Sequence, residues 1–283
     1  MEHSDIPSLA IVATPIGNLK DLSFRAQEVL QSVDYVLCED TRRARKLKTH
    51  LGFEASLVSF HEHNERSRIP KIIAFMKNGK KFALISDAGT PVLSDPGLLL
   101  VQRMNEEHLT LTFIPGPSAV IAALVLSGLP PQPFTFLGFP PVQENARKNF
   151  LEGLTEIQNQ TLVLFESPDR ILGLLRELGE VLGNRDCAVC RELTKLHEEV
   201  LRGKISALLG VLSARKLQGE FTVVIGPGER VESIGMTDQM VIERFHQLEK
   251  EGYSRKDALK KVVKESGRSR NDLYRLLMKD HES

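Results

Sequence analysis

Three short segments combine glycine and proline with side chains able to hold a polar ligand. They are Ala13-Thr-Pro-Ile-Gly-Asn18, Ser86-Asp-Ala-Gly-Thr-Pro-Val-Leu-Ser-Asp-Pro-Gly97 and Ile114-Pro-Gly-Pro-Ser-Ala119. Each directly follows an apolar run that reads as a β-strand. Glycine lets backbone approach a ligand and adopt positive φ, and proline stiffens the approach. Gly, Pro and Asp also mark ordinary turns. One such loop would mean little, but three after three strands of one region point to a ligand site at the carboxyl ends of a parallel sheet. Within them Asp87 can accept hydrogen bonds, and Ser118 opens a predicted helix whose first N–H groups are free. Further along, Phe165-Glu-Ser-Pro168 and Arg191-Glu-Leu-Thr-Lys195 each end a buried run, and Gly219-Glu220 precedes another. Glu166, Arg191 and Glu192 would be weak surface ion pairs if they stood alone. Their repeated placement at strand ends favours a cleft with two walls.

The elements that must carry these loops alternate in type. Residues 9–14, 35–39, 57–60, 82–86 and 109–114 read as strands; residues 22–33, 41–51, 69–77, 97–105 and 118–127 read as helices. That alternation predicts a mostly parallel sheet covered on both faces. Gly128-Leu-Pro-Pro-Gln-Pro133 reads as a linker. Alternation resumes with strands at 134–139, 161–166, 187–191 and 221–225 and helices at 170–182 and 206–216, a second α/β region ending at Gly226-Pro-Gly228. The last segment is all helical in pattern: Val241, Phe245 and Leu248 share one face, Ala258, Leu259, Val262 and Val263 another, and Leu273, Leu276 and Leu277 a third. Ser254-Arg-Lys-Asp257 and Ser269-Arg-Asn-Asp272 have capping-box spacing, and Gly267 suits a helix C-terminus. The domains expected are therefore 1–130, 131–230 and 231–283.

Composition narrows the function classes. Hydrophobic content of 41% with 26% charged residues describes a globular chain. No apolar run is long enough to cross a membrane, and residues 1–7 lack the form of a signal peptide. Three cysteines imply a reducing compartment rather than a disulfide framework. Cys187 and Cys190 have redox spacing, but residues three apart on a strand face opposite ways, so they are expected to be ordinary buried thiols. His61-Glu-His-Asn-Glu65 offers an H-x-H without further ligands at fitting spacing, and no metal is expected. P-loop, dinucleotide, nucleophile-elbow and zinc-protease signatures are missing. Net charge is zero, yet residues 250–283 hold ten Lys/Arg against six Asp/Glu. That basic tail suits a local anionic contact.

Taken in order, Thr14-Pro-Ile-Gly-Asn-Leu19, Glu39-Asp-Thr-Arg42, His61-Glu-His-Asn-Glu65, Ser86-Asp-Ala-Gly-Thr-Pro91, Ser94-Asp-Pro-Gly97, Pro115-Gly-Pro-Ser-Ala119, Gly138-Phe139, Phe165-Glu-Ser167 and Arg191-Glu-Leu-Thr-Lys195 resemble the tetrapyrrole methylase superfamily, in its branch of bacterial 16S ribosomal RNA methyltransferases. The resemblance runs from about Leu9 to Lys279 and implies an α/β fold. Two α/β domains of tetrapyrrole methylase type would form a donor cleft, with a small C-terminal helical unit added. It implies S-adenosyl-L-methionine as methyl donor and a cytidine ribose 2′-hydroxyl of 16S rRNA in the small ribosomal subunit as acceptor. It also implies a homodimer located in the cytoplasm. Asp87, Ala88, Gly89 and Thr90 stand where the superfamily has its Gly-Asp-Pro donor loop, with only the aspartate kept by identity. Ser118 and Ala119 match a second donor contact. Thr14 and Pro15, then Phe165, then Arg191, Glu192 and Leu193, and finally Glu220 complete the donor-binding set expected.

A ribose hydroxyl is a weak nucleophile, so a base should assist it. The candidates are Asp40, Glu166 and Lys195, the lysine only with a depressed pKa; Asp87 and Glu220 also stand at strand ends. RNA phosphates would be held by Arg42 and Arg43, with Arg45, Lys46 and Lys48 on the same helix, and by Lys256, Lys260 and Arg270 in the tail. A tetrapyrrole or diphthine methylase, and a non-enzymatic RNA-binding factor, are the competing readings. The basic tail and Glu39-Asp-Thr-Arg42 disfavour the first of these. Donor-induced thermal stabilisation separates the second.

Overall fold

A computed structural model describes residues 7–228, 236–266 and 270–281. Two compact units divide the chain, 1–226 and 227–283.

The first unit contains two five-stranded sheets. One is built from β1 (Leu9–Val12), β2 (Tyr35–Cys38), β3 (Ser56–Ser59), β4 (Phe82–Ile85) and β5 (Leu111–Ile114), in the order β3-β2-β4-β1-β5 with every pairing parallel. Its helices are α1 (Phe24–Ser32), α2 (Thr41–Leu51), α3 (Glu65–Lys77), α4 (Leu98–Glu106) and α5 (Ala119–Ser127). Strand side chains alternate between faces. Ala10, Val12, Val36, Ala83 and Ile85 pack with Ala26, Leu30 and Ala44 of α1 and α2. Leu9, Ile11, Leu37, Phe82 and Leu84 pack with Ile72, Ile73 and Met76 of α3 and Leu100 and Met104 of α4. A sheet buried on both faces explains the continuously apolar strands.

The second sheet comprises β6 (Phe134–Phe136), β7 (Thr161–Glu166), β8 (Asp186–Arg191), β9 (Glu199–Lys204) and β10 (Phe221–Ile225), ordered β6-β7-β10-β8-β9. Only β6 and β7 run parallel; the other pairings are antiparallel. The helices α6 (Glu144–Gly153), α7 (Ile171–Leu182) and α8 (Ile205–Ser213) cover one face through Leu162, Leu164, Cys187, Val189 and Val223. Helix α5 covers the other: Val120, Ala123 and Leu124 pack on Val163, Ala188, Cys190 and Val224. Two of these elements are not expected from the sequence: α6, whose residues are mostly polar, and β9, whose Glu-Val-Leu-Arg-Gly-Lys run lacks a clean period.

Cys187 and Cys190 fall in different clusters on opposite faces of β8, as strand alternation requires. Burial raises their thiols to about 12 and about 11.

In the second unit, α9 (Asp238–Lys250), α10 (Arg255–Ser266) and α11 (Arg270–His281) enclose one cluster including Val241, Phe245, Leu248, Ala258, Leu259, Val262, Leu273 and Leu277. Asp257 donates its N–H to Ser254 Oγ at 3.2 Å, and Ser254 Oγ donates to Asp257 Oδ2 at 2.5 Å, closing the first capping pattern. Gly267, Arg268 and Ser269 lie outside the described residues, as do the side chains of Lys260, Lys264 and Arg270. Lys256 is exposed. No helix among the described residues is long and apolar enough to cross a membrane.

Candidate active site

The three glycine–proline loops are tied to one another. Thr14 and Gly89 form a two-way bridge, Thr14 N–H to Gly89 O at 2.8 Å and Gly89 N–H to Thr14 O at 3.0 Å. Thr14 Oγ1 donates to Ser86 O at 3.2 Å, and Thr90 Oγ1 donates to Pro117 O at 3.3 Å. Gly89 has φ +80°, a conformation that favours glycine. Val92 (φ 75°) and Ser94 (φ 65°) share the left-handed region in the same loop. A β-branched residue there is strained, and such strain persists only where surrounding contacts impose it.

The loop after β8 reaches across to the first loop. Asn18 N–H donates to Thr194 Oγ1 at 3.1 Å. A Cβ on Gly17 would lie 2.3 Å from Lys195 Cγ and 2.9 Å from Leu193 O, so the two loops touch where only glycine fits. Glu192 (φ 51°) and Thr194 (φ 66°) are again left-handed.

Between the sheets lies a cavity of about 430 Å³, within the range of small-molecule sites. The first sheet's loops contribute Ile16, Glu39, Asp87, Ala88, Gly89, Thr90, Asp95, Ser118 and Ala119. The second sheet contributes Phe139, Phe165, Glu166, Gly219, Glu220 and Phe221. Phe165 packs against Phe136 and Phe139, with ring centroids 4.9 Å and 5.4 Å away. Ser118 caps α5, and the first N–H groups of that helix have no intrahelical partner.

Eight of the residues expected to bind donor therefore line one cavity: Asp87, Ala88, Gly89, Thr90, Ser118, Ala119, Phe165 and Glu220. Thr14 and Pro15 instead line a neighbouring cavity of about 150 Å³ with Arg43 and Lys46. Arg191, Glu192 and Leu193 stand behind the wall. Arg191 pairs with Glu199 at 3.6 Å and Leu193 is buried. Glu192 Oε1 accepts from Glu220 N–H at 3.0 Å and from Lys195 Nζ at 2.8 Å, which shapes the turn at Gly219 and Glu220.

The three expected bases are engaged otherwise. Asp40 caps α2 and binds Arg42, whose hydrogen bonds hold its carboxyl at about 2, too low for a neutral-pH base. Burial works to lower the Lys195 pKa, but hydrogen bonds to Glu192 and Glu220 outweigh it, and the ammonium lies above its ordinary value. The depressed pKa that its role requires is therefore absent. Glu166, fully buried in its side chain, accepts from Ser167 N–H at 2.8 Å and pairs with Arg170 at 2.8 Å and Arg147 at 3.5 Å. Its Oε2 makes no hydrogen bond.

Arg43 lines the cavity and pairs with Asp87 at 3.3 Å, whereas exposed Arg42 folds back on Asp40 at 2.7 Å. His61 and Asn64 close a local turn through His61 Nε2 and Asn64 Nδ2 at 2.9 Å. Among the described residues no three His, Cys, Asp or Glu side chains gather as metal ligands do. Sequence reasoning passed over Asp95. Burial, then the charges of Glu39 and Asp87, raise its carboxyl to about 7. The signal available was Ser94-Asp95, which repeats Ser86-Asp87 within one loop.

A cavity walled by strand ends of a parallel sheet and of a mixed sheet is the architecture of two-domain methylases. The profile of the Tetrapyrrole (Corrin/Porphyrin) Methylases matches residues 8–209, and the chain belongs to that family. It is similar to the ribosomal RNA small subunit methyltransferase I of Halalkalibacterium halodurans, 38% identical over 281 residues, with 97% of this chain and 96% of that protein covered. The protein of the same name from Thermotoga maritima is 44% identical over 221 residues, 78% of this chain and 99% of that protein. A crystal structure of diphthine synthase shares the fold with a TM-score of 0.62 at 15% identity, covering 77% of this chain and 90% of that one. A cobalt precorrin-4 methyltransferase does so at 0.57 and 17%, covering 77% and 94%.

Proposed function

We propose that this protein transfers the methyl group of S-adenosyl-L-methionine to the ribose 2′-hydroxyl of a cytidine in 16S ribosomal RNA. The observation that carries the reading is the cavity between the two sheets, in a chain whose relatives at 38% and 44% identity are named as small-subunit ribosomal RNA methyltransferases.

The cavity fits the donor's chemistry. Glu39, Asp87 and Asp95 give it negative character for a cationic ligand. Ile16, Phe139, Phe165 and Phe221 supply apolar walls for a heterocycle. The free N–H groups at the start of α5 suit a carboxylate, and Glu166 Oε2, ion-paired with Arg147 at 3.5 Å but without a hydrogen bond, suits a ligand hydroxyl. Asp87, Ala88, Gly89, Thr90, Ser118, Ala119, Phe165 and Glu220 are assigned to donor binding. Thr14 and Pro15 act through the bridge to Gly89, and Arg191, Glu192 and Leu193 through the support of Glu220. Bound there, the donor supplies an already activated methyl group. The protein's task is then to orient the acceptor oxygen in line and to exclude water.

Arg43 at the cavity mouth, with Arg42, Arg45 and Lys46 on α2, is assigned to RNA phosphates. The second unit, through Lys256, Lys260 and Arg270, is assigned to RNA alone. The Thermotoga protein matches 78% of this chain over nearly its whole length, which supports placing transfer in the shared part. A cytoplasmic homodimer is part of the proposal. Helix α5 exposes Ile121 at 50% and Val125 at 72%, the kind of apolar face that pairs with a second copy. Mapping ribose methylation of 16S RNA in cells with and without the gene tests the proposal; an unchanged pattern refutes it.

A further inference from the structure

Five acidic residues line the cavity: Glu39, Asp87, Asp95, Glu166 and Glu220. Three are committed to partners. Asp87 accepts the Asp40 N–H at 3.2 Å and pairs with Arg43 at 3.3 Å. Glu166 is clasped by Arg170 and Arg147, and Glu220 pairs with Lys195 at 3.0 Å. Glu39 and Asp95 alone have no hydrogen bond or ion pair from their carboxylates among the described residues. Glu39 stands open to solvent, whereas Asp95 is half-buried.

The loop holds Asp95 in place firmly. Left-handed Ser94 precedes it, and its Oγ lies 3.1 Å from where a Cβ on Gly138 would sit. After it, Gly97 has φ +128°, and a Cβ there would meet Leu84 Cδ2 at 2.6 Å. Gly97 N–H donates to Glu65 Oε2 at 3.3 Å. A free carboxylate on a braced loop, in a cavity shared by both sheets, stands where a general base for a ligand in that cavity would have to stand.

Resting on the methyl-transfer reading above, we infer that Asp95 is a catalytic residue, the base that takes the proton of the ribose hydroxyl. The hydroxyl oxygen bonds to the methyl carbon as the carbon–sulfur bond breaks, and that electron pair neutralises the sulfonium. The proton left over goes to an Asp95 oxygen and then to water, so atoms and charge balance without a further reactant. The electrostatic setting agrees. Glu39 from the end of β2 and Asp87 from the loop after β4 face Asp95 as like charges, and with burial they raise its carboxyl to about 7. Arg43 from α2, Glu65 from α3, and Glu166 and Glu220 from the second sheet complete the ionisable surroundings, each engaged as described. A base with its pKa near working pH is favoured for proton transfer.

The test has two readouts. In the ligand-free protein, a carboxyl carbon resonance that disappears in Asp95→Asn should titrate with a midpoint of about 7; a midpoint at the ordinary 3.8 overturns the inference. Single-turnover methylation of small ribosomal subunits by wild type should rise with pH and level off once Asp95 is ionised, at or below its ligand-free midpoint because the donor's cation favours the carboxylate. Asp95→Asn should lose about 10²-fold or more of that rate, and the pH dependence with it. Asp95→Glu should recover part of both. Methylation by Asp95→Asn at the wild-type rate overturns the assignment of Asp95 alone. Wild-type protein that leaves the RNA unmethylated overturns the reading of function together with it.

Discussion

Gly17→Ala tests whether the two walls of the cavity are interlocked. The added Cβ would sit 2.3 Å from Lys195 Cγ, 2.8 Å from Thr194 Oγ1 and 2.9 Å from Leu193 O. Carbon atoms prefer about 3.5–4.0 Å, so Lys195 or the loop must yield by more than 1 Å. Lys195 is not free to swing, because Glu192 and Glu220 hold its ammonium at 2.8 Å and 3.0 Å. Overpacking of this kind costs about 1–3 kcal/mol. Losing the hydrogen bond from Asn18 N–H to Thr194 Oγ1 adds about 1 kcal/mol. A loss near 3 kcal/mol in a unit of this size lowers the melting temperature by roughly 6–12 °C. The same displacement moves Ile16 against the second sheet, and misplacement by about 1 Å can cost roughly 10²-fold in rate. Differential scanning calorimetry and single-turnover methylation read the two effects. A melting temperature within about 2 °C of wild type, with an unchanged rate, would refute the interlock.

Other substitutions separate local from site effects. Gly173→Ala in α7 and Gly210→Ala in α8 meet nothing within 4 Å, so each should raise stability by about 0.5–1 kcal/mol in denaturant titration and leave methylation untouched. Asp95 has a folded-state pKa of about 7 against 3.8 unfolded, so the native state binds its proton more tightly and loses stability as pH rises through that window. Asp95→Asn should therefore melt above wild type at pH 8, with the gap shrinking on acidification and gone below about 4. Removing residues 227–283 should weaken RNA binding in a filter assay while donor affinity, measured by calorimetry, stays the same. Equal RNA affinity of the shortened and full chains would contradict the role given to the basic helices.

The first sheet was legible because its strands are buried on both faces. Runs such as Phe82-Ala-Leu-Ile85 carry no competing helical period. The site loops were legible for a related reason: glycine and proline at strand ends advertise unusual backbone. Side-chain commitments were not. Asp40 and Glu166 looked like available carboxylates until the chain brought Arg42, Arg147 and Arg170 onto them. Arg147 comes from α6, a helix of mostly polar residues. Asp95 was obscured by the opposite effect. Its sequence neighbours mark only a turn, while what perturbs it is burial, then the charge of Glu39 from the end of another strand and that of Asp87 eight residues back in the same loop. The hairpin of β8 and β9 escaped because β9 owes its place to pairing with β8 rather than to its own pattern.

Helix α5 lies before the proline-rich linker in sequence but seals the far face of the second sheet. The linker is then no hinge: bending there would drag a core helix away from Val163, Ala188 and Val224. Cutting the chain at residue 130 would yield two fragments, one displaying an orphaned apolar helix and the other an uncovered sheet. Neither should be soluble by itself, and both should become soluble when produced together. Any motion of one sheet against the other must therefore turn in the loop before α5 rather than at the linker.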